Sequence, residues 1–218
     1  MNDRRTAGTW AGVAAPLLFT TVYVVEGATR PGYDPMRHQV SLLSLGPGGG
    51  VQIASFLLTG LLLLAFATGL RSARSAGIGA RSVPASVAVS GLGFLLAGLF
   101  TTQPLFGYPP GTPPGMATDI TAASMMHLVA AALLFGGLIV APAALCRRFW
   151  RAGSRGWALA SLGAAVTVLL CFGASGAGPS GQLPLRDHAG LVQRVALATG
   201  LGWVLAIALR QLRPEPTP

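Results

Sequence analysis

The run VQIASFLLTGLLLLAFATGL, from Val51 to Leu70, carries no ionisable side chain, and it decides the class of fold. A helix of about 20 residues rises roughly 30 Å, the thickness of a bilayer's hydrocarbon core. Five more runs of similar length surround it: Trp10–Thr29, Pro84–Thr102, Ile120–Leu145, Trp157–Ser175 and Ala189–Leu209. The composition agrees. Of 218 residues, 52% are hydrophobic and 10% charged, where a soluble domain carries about 25% charged residues. The mean hydropathy is +0.61. The sequence therefore predicts an all-α, polytopic transmembrane bundle of six helices. A single domain covers residues 1–212, and the short proline-rich stretch 213–218 reads as a disordered tail.

The net charge of +9 does not point to nucleic acid. The basic residues are arginines beside apolar runs, where they act as topology signals. Arg4, Arg5, Arg71, Arg74, Arg81, Arg147, Arg148, Arg151, Arg155, Arg210 and Arg213 all fall on one side, and only Arg30, Arg37 and Arg186 on the other. The bias predicts a multi-pass protein of the plasma membrane with both termini in the cytoplasm and three hairpins opening outward. Arg4 and Arg5 before the first run resemble a signal peptide, but no small-residue cleavage site follows and the run is long enough to span, so it is read as a retained helix. Trp10, Trp150 and Trp157 would anchor the inner boundary, and Tyr33, Phe106 and Tyr108 the outer one. Gly91, Gly93, Gly98, Gly163 and Ala164 are small enough for close approach of helix backbones.

The first outer loop, YDPMRHQVSLLSLG (Tyr33–Gly46), is dense in ionisable and hydroxyl groups. Asp34 followed by Pro35 suits an N-cap and first helical position. Met36, Val40 and Leu43 recur at helical spacing. The expectation is a short interfacial helix, ended by Gly46-Pro47-Gly48-Gly49-Gly50.

Each outward hairpin holds an aspartate and a histidine: Asp34 with His38, Asp119 with His127, and Asp187 with His188. These are the candidates for general acid–base work. Each aspartate also precedes an expected helix and suits a cap. His127 and Arg194 lie about two turns inside their spans. Ionisable groups there are costly and usually face an interior partner or cavity. A neutral His127 could relay a proton or hydrogen-bond Ser124, one turn earlier. Arg194 keeps its proton, so it is expected to need an acid such as Asp187, Glu26, Asp119 or Asp34, or an anionic ligand. On that reading Asp187→Asn would harm stability more than Arg194→Leu, because a lone acid can neutralise itself and a lone arginine cannot. Arg194, His127, Asp187, Glu26, Arg37 and Ser44 form the expected ligand-binding set. Cys146 and Cys171 have no metal-ligand or disulfide spacing, and no HExxH, phosphate-loop, nucleophile-elbow or dinucleotide motif is present. No metal and no cofactor is expected.

Three stretches together carry a family resemblance. They are Ser41-Leu42-Leu43-Ser44-Leu45-Gly46 with Phe56 and Gly60; Met126-His127-Leu128-Val129-Ala130-Ala131 with Phe135 and Pro142; and Gly190-Leu191-Val192-Gln193-Arg194. The pattern resembles the bacterial six-helix membrane family catalogued as domain of unknown function nine-nine-eight. That resemblance implies the six-span fold and draws attention to Ser44, Gly46, His127 and Arg194. The family's usual acid before the late arginine is Gln193 here. No activity carries over.

Two functional readings follow. One is a protein with a polar pocket open to the extracytoplasmic face, binding or moving a lipid-like or small anionic ligand, with membrane lipid as its partner. The other is a membrane enzyme acting on a lipid or isoprenoid substrate through its Asp and His groups.

Overall fold

A computed structural model describes residues 3–72, 81–115, 119–177 and 186–212. The stretch 213–218 lies outside the described residues. Six long helices form: α1 (Asp3–Thr29), α2 (Gly49–Ser72), α3 (Ser82–Leu99), α4 (Ala122–Arg151), α5 (Arg155–Ala177) and α6 (Ala189–Leu212). Among the described residues, two short 3-10 helices, η1 (Val40–Ser44) and η2 (Arg186–His188), lie in the connections. No strand occurs among the described residues beyond an isolated bridge between Leu105 and Tyr108. All six long helices are long and apolar enough to cross a membrane.

Consecutive helices pack on one another, and α6 closes the ring against α1. Glycines set the closest approaches. A Cβ on Gly8 would sit 2.7 Å from the Cα of Gly69, and one on Gly60 would sit 2.7 Å from the Gly91 carbonyl oxygen. Gly93 and Gly98 have equally tight surroundings, as their small size suggests, whereas Gly163 faces open space. Residue type alone does not distinguish a glycine on the packed face from one on the outer face. The core between the helices is aromatic and aliphatic. Phe19, Phe56 and Phe94 meet at centroid distances of 4.8–6.0 Å, with Leu63, Phe66, Leu138 and Leu201 fully buried around them. The outer face carries Leu17, Leu61, Leu92, Val140, Leu169 and Leu170, all about half-exposed or more. A bilayer would remove that apolar surface from water.

The stretch after α1 differs from one continuous short helix. It makes a single turn, with the amides of Arg37 and His38 bonded to the Asp34 carbonyl. Gln39 is then extended before η1 begins. The reason lies on α6. A helix would join the Val40 amide to the Met36 carbonyl. Instead the Val40 amide donates to Gln193 Oε1 at 2.8 Å, and the Met36 carbonyl accepts from the Leu191 amide at 2.9 Å. Two groups of α6 thus take both ends of one helical bond. All five residues of η1 are buried. Tyr33, Phe106 and Tyr108 are buried too, at 8%, 4% and 2% exposure, so they pack within the loops instead of forming an exposed belt. Trp10 and Trp150 are the exposed ones, at 56% and 57%.

Candidate functional site

Two polar features sit at the same end of the bundle. The first is a clasp around Arg194. Its Nη1 donates to the carbonyls of Pro35 (2.6 Å), His38 (2.9 Å) and Gly190 (3.1 Å), and its Nη2 to the Tyr33 hydroxyl (2.6 Å). The guanidinium also lies 5.4 Å and 5.9 Å from the ring centroids of Tyr33 and Tyr23. The Pro35 and His38 carbonyls are available because the chain leaves helical geometry at Gln39. Gly190 permits the approach: a Cβ there would stand 2.4 Å from the His38 oxygen and 2.6 Å from that of Pro35. Burial pushes the Tyr33 phenol up to about 12 despite the opposing charge of Arg194, so it stays a neutral partner.

Among the described residues no acid pairs with Arg194, contrary to the expectation from sequence. Glu26 pairs with Arg30 one turn away, and Arg30 also donates to the Leu45 and Pro47 carbonyls. The Asp187 carboxylate is 74% exposed and 3.8 Å from Nε of Arg37. Asp34 caps its own turn, accepting from the Met36 amide at 2.9 Å. Asp119 and His188 are exposed. The cap of α4 is Thr121, which accepts from the Ser124 amide at 3.1 Å.

His38 sits beside the clasp. Its Nδ1 accepts from the Asp34 amide at 2.9 Å, so the neutral ring carries its proton on Nε2, which faces the Phe106 carbonyl at 3.2 Å. Tyr33 and Tyr108 flank it, each 5.4 Å between centroids. Burial lowers its pKa below the ordinary 6.5, with Arg37 and Arg194 acting the same way and the Phe106 carbonyl and Asp34 opposing. A proton on Nδ1 would also confront the Asp34 N–H. The unfolded chain therefore takes up the proton first. Stability present above about pH 6.5 should be lost as pH falls toward the lower native value. Melting temperatures in detergent, measured at stepped pH, check this. His38→Gln should flatten the acid limb, and identical limbs for both proteins would refute the assignment.

The second feature is a small cavity deeper in the bundle. Its walls are mainly apolar, from Phe19, Phe56, Ala131, Leu134, Phe135 and Leu197, with Val40 and Ala97. Three polar side chains reach it: Ser41, His127 and Gln193. His127 Nδ1 lies 2.7 Å from the Phe100 carbonyl, and not on Ser124. A carbonyl only accepts, so Nδ1 carries the proton of the neutral ring, and the Ala97 carbonyl also faces the imidazole. Gln193 spends its oxygen on the Val40 amide and keeps its NH2 as a donor. An imidazole, an amide and a hydroxyl side chain thus line a cavity whose other walls are apolar.

A family model described as "Protein of unknown function (DUF998)" matches residues 13–210. The chain belongs to this family. It is an integral membrane protein whose family description assigns no activity. No curated protein and no solved structure matches it. The DUF998 match covers the clasp and the cavity together.

In this DUF998 chain the candidate residues divide between places. Asp34, Arg37, His38, Asp187 and Arg194 gather at the clasp, while His127 belongs to the cavity. Glu26 serves Arg30. Ser44 is buried, and its hydroxyl has no partner among the described residues. Among the described residues, no group of three His, Cys, Asp or Glu side chains could hold a metal. Sequence reasoning missed Tyr33 as a partner of Arg194, and it missed Gln193 and Ser41 as lining. The departure at Gln193 from the family's acid was the one signal for the latter.

Proposed function

We propose that this membrane protein binds or moves a lipid-like ligand in the cavity beside His127. The observation that carries the reading is the lining itself: apolar walls with an imidazole, an amide and a hydroxyl side chain, the make-up of a site for a small amphiphile. A neutral head group fits better than an anionic one, because Nη1 and Nη2 of Arg194 are spent on carbonyls and a phenol. An acid–base enzyme draws less support, since the aspartates cap a turn or lie exposed and only His127 lines the cavity.

Ala131 stands in the cavity wall, so Ala131→Phe should fill the space. Native mass spectrometry of protein released from mild detergent should find an amphiphile of defined mass on the wild type and none on the variant. Retention of the same species by Ala131→Phe would place the ligand elsewhere.

The cavity and clasp face the extracytoplasmic side in this reading, with both termini in the cytoplasm of a cell whose plasma membrane holds the protein. Support comes from the arginine bias. In a Cys146→Ala, Cys171→Ala background, Thr112→Cys should react with an impermeant thiol reagent on intact cells and Ala152→Cys should not. The reverse pattern would invert the topology.

A further inference from the structure

The outer half of α2 holds a group of polar side chains that neither the clasp nor the cavity uses. Gln52, Ser55 and Thr59 are 0%, 2% and 0% exposed. Neither amide atom of Gln52, nor the hydroxyls of Ser55 and Thr59, has a hydrogen-bond partner among the described residues. Ser44 Oγ, 6% exposed as a residue, is in the same condition. Unpaired buried polar atoms are rare in native proteins, and the hydrocarbon of a bilayer offers them no partner.

Their placement is ordered. Spacings of three and four residues put Gln52, Ser55 and Thr59 on one face of α2, over a rise of about 10 Å. Ser44 stands at the top of that row, since a Cβ on Gly49 would lie 2.3 Å from its carbonyl oxygen. Phe66, two turns beyond Thr59 on the same face, meets Gly12 of α1, so the row looks into the α1–α2 seam. Four other helical hydroxyls bond back to their own helix: Thr9 to Arg5, Thr29 to Val25, Thr68 to Ala65 and Ser175 to Phe172, at 2.8–2.9 Å. Those of Ser55 and Thr59 do not, although the same acceptors lie one turn away.

We propose that this face of α2 lines a file of water molecules running from Ser44 at the loop end to Thr59 in mid-span. The chemistry of the set selects water. A buried anion or cation calls for compensating charge as well as donors or acceptors. Here every side chain both donates and accepts, and none is charged. Water matches that inventory and makes about three hydrogen bonds at such sites. The file stops where the face turns apolar, at Leu63 and Phe66, both fully buried. The result is a half-path that lets a small polar species reach mid-membrane from one side without crossing lipid.

The test uses full-length protein in proteoliposomes with Cys146 and Cys171 replaced by alanine. Silver ion, small enough to follow water, blocks only thiols that can ionise. Ser55→Cys and Thr59→Cys, near-isosteric changes, are exposed to silver, and the remaining thiols are counted by maleimide after unfolding. Leu63→Cys is the dry control on the same face, and Ala67→Cys replaces it should that variant fail to elute as a single species. Both test thiols should be blocked at least about ten-fold faster than the control, the equivalent of one pKa unit of thiol desolvation. Rates equal to the control at Ser55 and Thr59 would overturn the water file.

Discussion

Arg194→Leu should lower stability by about 3 kcal/mol or more, the scale of losing several hydrogen bonds to a charged group and stranding their acceptors. The half-buried guanidinium holds the carbonyls of Pro35 and His38 and the hydroxyl of Tyr33. Leucine would leave all of them without that donor, at the place where the first loop is tied to α6. For a domain of this length the loss corresponds to a fall in melting temperature of roughly 6–12 °C. Asp187→Asn should change stability by less than about 0.5 kcal/mol, because an exposed, loosely geometric ion pair contributes little. Arg194→Lys should fall between, since one ammonium cannot reproduce the fork that serves three carbonyls and a phenol. Thermal melts of the three variants in one detergent decide the matter. A loss at Asp187→Asn as large as at Arg194→Leu would mean that the acid, and not the loop carbonyls, neutralises the arginine.

This ordering reverses the one expected from sequence, and the reason is instructive. Hydropathy marks Arg194 as costly inside a span, which directs attention correctly. It gives no view of the partner. Backbone carbonyls become partners only because the chain breaks at Gln39, and that break depends on Gln193 and Leu191 capturing the two ends of a helical bond. The contact joins residues more than 150 apart in the chain, so no local pattern encodes it. The six spans were legible because each is a long apolar run, and apolar runs are a local property. Their ends were less so: α1 begins at Asp3 and α4 continues to Arg151, past the arginines that a hydropathy boundary treats as loop. Helical hydrogen bonding continues through a polar turn, and arginines near a membrane boundary extend toward water. Tyr33, Phe106 and Tyr108 illustrate the same limit. Aromatic residues in a loop suit a membrane interface or a packed cap equally well, and the difference is made by the 100–115 loop folding onto the first loop, where His38 meets the Phe106 carbonyl. His127 stood out for its position in a span. Its cavity could not be seen, since the lining comes from η1 and five helices.

Two glycines read alike in the sequence should respond with opposite sign. Gly93 is where α3 meets α4. A Cβ there would stand 2.4 Å from the Leu134 amide nitrogen and 2.7 Å from the Ala130 carbonyl oxygen. Both neighbours are backbone, so relief requires the helices to separate. The same contact is closed from the other side by Gly137, whose added Cβ would meet the Ser86 carbonyl oxygen at 2.3 Å, and it is pinned by the Ser90 hydroxyl donating to the Leu134 carbonyl at 2.9 Å. Gly93→Ala should therefore cost about 2–3 kcal/mol, the upper range for overpacking a tight core, even after the roughly 1 kcal/mol that alanine gains in helix propensity. Gly163 on α5 has nothing within 4 Å of an added Cβ. There only the propensity acts, and Gly163→Ala should raise stability by about 0.5–1 kcal/mol. Melting curves of the two single variants measure both signs at once. A stabilised Gly93→Ala would show that α3 and α4 do not touch through their backbones, and a destabilised Gly163→Ala would show that the open face of α5 is covered by something that packs against it.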